Sequence, residues 1–297
     1  AALSAGAALS AGAALSAAAA LSAGAALAGS LPHRGPGGRA ADIEGLPVAQ
    51  MLSACRGFLL LNVEPELDCG DSRAAAQAME IADFVVTLTA YRSEAMEQYA
   101  DVMLPIAPFA ETAGTYVNLD GRWQTLGEIV PPQGDARPAW RVLRVLGNAL
   151  DLDGFEYTDI TAIVEEVRSH ASDERPDNTG AWLVPGEIRS HGSELWRSGE
   201  VPMYAVDPLV RRSEPLQKTT DARVKAARLN AGLAASSGLV EGARVKILQG
   251  DGAIELPVRI DDAVASQCVV VPAGLPETAA LGAAVGPISI SPVVGLD

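Results

Sequence analysis

The sequence predicts an α/β fold: a parallel sheet with helical crossovers, then a helical and loop linker, then a small β-barrel. Two observations carry this. Three short and largely apolar runs, residues 58–63, 84–89 and 101–106, are separated by stretches of helical periodicity. Strand–helix alternation favours parallel strands joined by crossovers, and runs without polar alternation fit strands buried on both faces. From about residue 216 short strand-like runs recur between turn signals, which argues for a small barrel.

Element by element, residues 31–38 are a loop by their Pro and Gly content. The run 58–63 is the first strand and ends in a turn at 64–70. Asp71 or Ser72 caps a helix through residue 82, with Ala75, Ala78, Met79 and Ala82 on one face. A second strand at 84–89, a helix at 94–100 capped by Ser93, and a third strand at 101–106 complete a Rossmann-like pattern. Asp120 and Gly121 form a strong tight-turn signal between 115–119 and 122–126. Helices follow at 140–150 and 159–170, the second capped by Thr158 or Asp159. Residues 171–215, rich in Pro, Gly, Ser and charge, read as a linker. Beyond it, 224–229, 243–248, 253–260 and 268–271 read as strands, with a hairpin turn at 250–252. The expected organisation is a low-complexity segment (1–30), an α/β domain (31–150), a helical and loop linker (151–215) and a barrel (216–297).

The first thirty residues repeat a hexapeptide, with leucines at Leu3, Leu9, Leu15, Leu21 and Leu27. Six residues at about 100° each advance about 600°, so these leucines spread over three sides of a helix and form no apolar face. At about −0.5 kcal/mol each they supply only about −2.5 kcal/mol toward membrane insertion, so no membrane span is expected. A signal peptide would need a basic start. The expected state is an Ala-rich helix frayed at its glycines. The chain starts on Ala rather than Met, which predicts a fragment.

The balance of charge is 22 Lys+Arg against 37 Asp+Glu, a net −15. Such a surface repels phosphate backbones, so no nucleic-acid partner is expected. Cys55, Cys69 and Cys268 contain no Cys-x-x-Cys pair and cannot assemble a disulfide framework, a zinc site or an iron–sulfur site. They read as small buried hydrophobes in a reducing compartment. His33, His170 and His191 are too scattered to suggest a metal. The glycines at 35–38 lack the Lys-Ser/Thr of a phosphate loop. No Gly-x-Ser-x-Gly supports a hydrolase.

The run Tyr99-Ala-Asp-Val-Met-Leu-Pro105, with Glu111-Thr-Ala-Gly-Thr-Tyr-Val-Asn118, Gly121-Arg-Trp-Gln124 and Pro138-Ala-Trp140, resembles the molybdopterin oxidoreductase superfamily, with Asp120 where Glu is usual. Arg211-Arg212, Leu216-Gln217, Leu229-Asn230, Gly238-Leu239 and Val245-Lys-Ile247 resemble its dinucleotide-binding domain, which implies a double-psi β-barrel. Leu233 and Ala243 stand where cofactor-binding relatives carry Asp, a departure that weighs against pterin-dinucleotide binding. Within the superfamily, residues 31–38 and Leu61-Asn-Val-Glu-Pro-Glu-Leu-Asp68 are most similar to the family of large peripheral-arm subunits of respiratory NADH:quinone oxidoreductase, complex I.

That resemblance covers roughly residues 22–297 and implies a cluster-free scaffold portion of such a large subunit. The portion would support electron transfer from NADH to quinone without being catalytic itself. It further implies iron–sulfur clusters in an N-terminal region outside this chain and no cofactor bound by the chain. The implied partners are other peripheral-arm subunits, and the implied location is the cytoplasmic face of the bacterial inner membrane. A second reading is a fragment of a genuine molybdopterin-dependent, formate-dehydrogenase-like oxidoreductase. No catalytic or metal-binding residue is identified. The cofactor-site candidates are Glu111, Gly114, Thr115, Asn118 and Arg122, vestiges of a pterin site in the complex I reading. A Glu/Asn pair, a glycine for close approach and an Arg suit an anionic cofactor. The competing reading makes the same residues a hairpin, with Gly114 and Asp120-Gly121 setting the backbone and Arg122 paired to a local carboxylate.

Overall fold

The computed structural model describes residues 24–293 apart from 119, 172–191, 193 and 224. The Ala-rich helix expected over the repeat therefore lies largely outside the described residues. The chain divides into two compact units, Ala1–Val63 with Ala78–Asn178, and Glu64–Gln77 with Thr179–Asp297.

The first unit is built on a parallel sheet of β1 (Gly57–Leu61), β2 (Phe84–Thr89) and β3 (Val102–Pro105), in that order. Val85 and Leu88 of the central strand are buried, and Val85 packs with Ala78, Met79, Leu52, Phe58 and Leu60. Burial on both faces, expected from the apolar runs, holds in the middle of β2 but not at the margins. β1 is half-buried, and Phe84 and Val102 are exposed. The reason is geometric, since β1 and β3 are edge strands and Phe84 stands at the very start of β2.

Local capping follows the sequence. Asp71 Oδ1 accepts from Ala74 N (2.9 Å) at the start of the helix Ser72–Glu80. Ser93 Oγ accepts from Met96 N (3.2 Å) at the helix Glu94–Tyr99. Asp159 Oδ1 accepts from Ala162 N (3.0 Å) at the helix Ile160–His170. An antiparallel hairpin of β4 (Gly114–Val117) and β5 (Trp123–Leu126) follows β3. The helix Ala139–Ala149 places Gly147 against the Phe155 ring, where a Cβ would collide. Gly37, at φ +74°, lies equally tight on the His170 carbonyl. Arg168 stacks 5.0 Å from the centroid of Trp123.

The second unit holds β6 (Trp196–Ser198), β7 (Ala227–Leu229), β8 (Arg244–Gln249), β9 (Gly252–Ile260), β10 (Cys268–Val270), β11 (Val285–Pro287) and β12 (Ser289–Pro292). Their order in the sheet is β11-β6-β10-β7-β9-β8-β12. Only Ile288 separates β11 from β12, yet they stand at opposite ends of that order. The sheet therefore curls until its edges nearly meet. β8 alternates, with Val245 and Ile247 directed into a core that includes Leu229, Leu256, Val258, Val269 and Leu281. The molecule is thus mixed α/β, with a parallel sheet and a nearly closed seven-strand barrel-like sheet.

Three of these strands depart from the sequence expectation. β6 lies inside the stretch read as linker, and β11 and β12 were not expected as strands. Each is too short for periodicity to register, and β11 and β12 are written in Val, Gly, Pro, Ser and Ile. The centre of β6 is Arg197, only 2% exposed. Its guanidinium donates to Gln249 Oε1 (3.2 Å), Pro272 O (3.0 Å) and Ala283 O (3.1 Å). Burial pushes its pKa down to about 10. An arginine among these apolar strands reads from sequence as a surface residue, which is why periodicity hid the strand.

Candidate functional site

The hairpin that carries the sequence candidates is tightened by its own side chains. Asn118 Oδ1 accepts from Arg122 N (2.9 Å), and Asn118 N donates to Arg122 O (3.2 Å). Gly121, at φ +75°, occupies the left-handed region that the turn demands. Thr115 and Thr125 share a hydroxyl–hydroxyl bond of 3.1 Å across the two strands. Glu111 stands on the preceding 3-10 turn, Phe109–Glu111, and its Oε2 accepts from Gln133 N (3.1 Å). Arg122 is exposed, and among the described residues its guanidinium enters no ion pair, unlike the local carboxylate pairing expected for it. Gly114 is not in a close approach, since the nearest atom to a Cβ there would be Tyr116 Cε2 at 4.0 Å.

An open cleft of about 200 Å³ lies beside this hairpin. Leu61 ends β1 and Ile106 follows β3, so the cleft sits at the carboxyl end of the parallel sheet, where open α/β folds bind ligands. Pro108, Phe109, Tyr116 and Ala139 add an apolar lining, with Asn62 and Thr112 supplying polar atoms. Asn62 has φ +51°, a conformation uncommon outside glycine. Of the five sequence candidates, Gly114 alone lines the cleft. No cationic side chain lines it, so it offers no counter-charge to a phosphate-bearing ligand. Among the described residues no three His, Cys, Asp or Glu side chains converge as metal ligands.

The second unit contains a charge cluster that sequence reasoning did not assemble. Glu64 (1% exposed) accepts from Arg211 Nη1 (2.6 Å) and Arg212 Nη2 (2.5 Å). Asp68 pairs with Arg211 Nη2, and its other oxygen accepts from Glu64 N (2.8 Å). Arg211 Nε donates to Ala205 O (2.8 Å). Burial works to raise the Glu64 pKa, but bonds and charges from Arg212 and Arg211 outweigh it and hold the carboxyl below its usual value. For Asp68 burial dominates, and its pKa rises. The two directions differ because Glu64 faces two guanidinium groups and Asp68 one. The Glu-x-x-x-Asp spacing and the tandem arginines were both visible, but nothing local joins residues 147 apart.

Comparison with known proteins supplies a family likeness. Residues 10–149 match the family model for molybdopterin oxidoreductase. That segment, a little under half of the chain, is similar to molybdopterin oxidoreductases. Homologues extend the match over most of the chain. The G subunit of NADH-quinone oxidoreductase from Streptomyces coelicolor is 30% identical over 245 residues, covering 78% of this chain and 27% of the relative. The G subunit from Mycobacterium bovis is 27% identical over 243 residues, covering 76% of this chain and 28% of the relative. The chain thus spans little more than a quarter of the length of these relatives. The Staphylococcus aureus (strain USA300) protein named "Putative formate dehydrogenase" is 35% identical over 89 residues, which is 30% of this chain and 8% of that protein. Among solved structures, acetylene hydratase from Pelobacter acetylenicus shares the fold, with a TM-score of 0.56 and 16% identity over 82% of this chain and 46% of that one. Among the described residues no helix is long and apolar enough to cross a membrane.

Proposed function

We propose that this chain is a cluster-free scaffold portion of the large peripheral-arm subunit, the G subunit, of an NADH:quinone oxidoreductase. In this reading it supports electron transfer from NADH to quinone by holding structure, while iron–sulfur clusters sit in polypeptide outside it. Its partners are the other peripheral-arm subunits, and it works on the cytoplasmic face of the bacterial inner membrane. The barrel-like sheet is its double-psi domain. The observation that carries the proposal is the extent of the likeness to the G subunits, 78% of the chain, against 30% for the formate dehydrogenase match.

The hairpin chemistry supports the same reading. A pterin dinucleotide needs donors for its phosphates and ring edges. Here Asn118, Thr115, Thr125 and Glu111 direct their polar atoms at the hairpin and its neighbouring loop. The adjacent cleft is mostly apolar and lacks a cation. The residues present do not fit the group. The alternative, a fragment of a molybdopterin-dependent oxidoreductase, rests on the shorter formate dehydrogenase match.

The test is to tag the chain in its host, isolate the assembly and assay it for NADH oxidation coupled to quinone reduction. Co-purification with that activity, and cysteine iron–sulfur motifs in the reading frame upstream of Ala1, are the expected results. Co-purification with formate-dependent reductase activity instead would overturn the proposal.

A further inference from the structure

We propose that Glu64, Asp68, Arg211 and Arg212 form an ion lock that makes the crossover between β1 and β2 fold as part of the barrel unit. A crossover between neighbouring parallel strands ordinarily packs back on its own sheet. In this chain the first part of that crossover, Glu64–Gln77, groups with the barrel unit instead. Several contacts inside that unit hold it there. Ala284 N donates to Gly70 O (3.0 Å), Asp71 bridges Ala283 in antiparallel pairing, and Arg73 reaches Asp251 at 3.1 Å. Exposed pairs of the Arg73–Asp251 kind contribute little. Main-chain bonds of the Gly70 kind carry no charge specificity.

The ion cluster differs in both respects. Glu64 and Asp68 are buried, and among the described residues each finds its compensating charge on the segment ending in Arg211 and Arg212. A buried carboxylate deprived of its partner is strongly unfavourable, far more than the pair is favourable against a neutral substitute. The arrangement is therefore conditional. Residues 64–68 reach their buried position only when 205–212 is in place, and the reverse holds for Arg211. The fork geometry adds selectivity, because Arg211 spans both acids while its Nε is fixed on Ala205 O. Two sequence runs that the oxidoreductase chemistry leaves unused, the acid pair and the arginine pair, thereby acquire one shared role.

Hydrogen exchange on the full-length chain tests this. Glu64→Gln removes the buried charge and is expected to accelerate amide exchange about tenfold or more in residues 64–77 and in residues 203–217 together. The double variant Glu64→Gln/Arg212→Gln should loosen the two segments by less than the sum of the single effects. Arg244→Met, which breaks the exposed pair with Glu255, should leave both segments unchanged. Should Glu64→Gln not yield folded protein, Arg212→Lys is read in its place, since it keeps the charge and loses the fork. Loosening of both segments supports the lock. Loosening confined to one segment, or additive single and double effects, overturns it.

Discussion

Glu64 shows how much one buried side chain can be asked to do. Its carboxyl is held below the ordinary range because two guanidinium groups outweigh burial. A depressed carboxylate contributes stability that is complete above its unfolded pKa and disappears as the pH falls through its folded one. Asp68, raised by burial, runs the other way and loses its share as the pH climbs through its raised value. With two cations against one, the Glu64 direction governs the pair. Urea melts should therefore show Glu64→Gln destabilised by about 3–5 kcal/mol at neutral pH, with the gap to the parent closing in acid. A gap independent of pH would contradict this. Cys69 is simpler, since burial, with nearby acids adding to it, pushes its thiol up to about 12. It should resist alkylation at pH 8 in the folded chain and react once urea exposes it, as peptide mapping can show. Gly147 is set against the Phe155 ring, so Gly147→Ala should cost about 1–3 kcal/mol and lower Tm.

At the scale of elements, what was legible from sequence was whatever depends on neighbours in the chain. The caps at Asp71, Ser93 and Asp159, the Gly121 turn and the run of β2 all follow from contacts within a few residues. β6, β11 and β12 were not legible, because three or four residues carry no period and their partners are remote. The candidate site divides the same way. The hairpin was readable from Asp120-Gly121, whereas the cleft joins Asn62 to Tyr116 through the parallel sheet, and the ion cluster joins residues 147 apart in the chain. The hairpin reading makes Asn118 a turn residue. Asn118→Ala should then lower stability by about 0.5–1.5 kcal/mol through its lost bond to Arg122 N, with exchange rising at 114–126. A variant as stable as the parent would remove that role.

At the scale of the whole molecule, a segment similar to molybdopterin oxidoreductases and a barrel-like sheet are joined in one chain that matches G subunits of NADH-quinone oxidoreductase along most of its length. In the scaffold role proposed above, Asn118, Thr115, Thr125 and Glu111 spend their polar atoms within the hairpin and its neighbouring loop. Elemental analysis for molybdenum, with fluorescence of any released pterin, on the assembly purified through this chain tests the scaffold role. Iron without molybdenum and no pterin fluorescence is the expected result. Stoichiometric molybdenum with released pterin would contradict it.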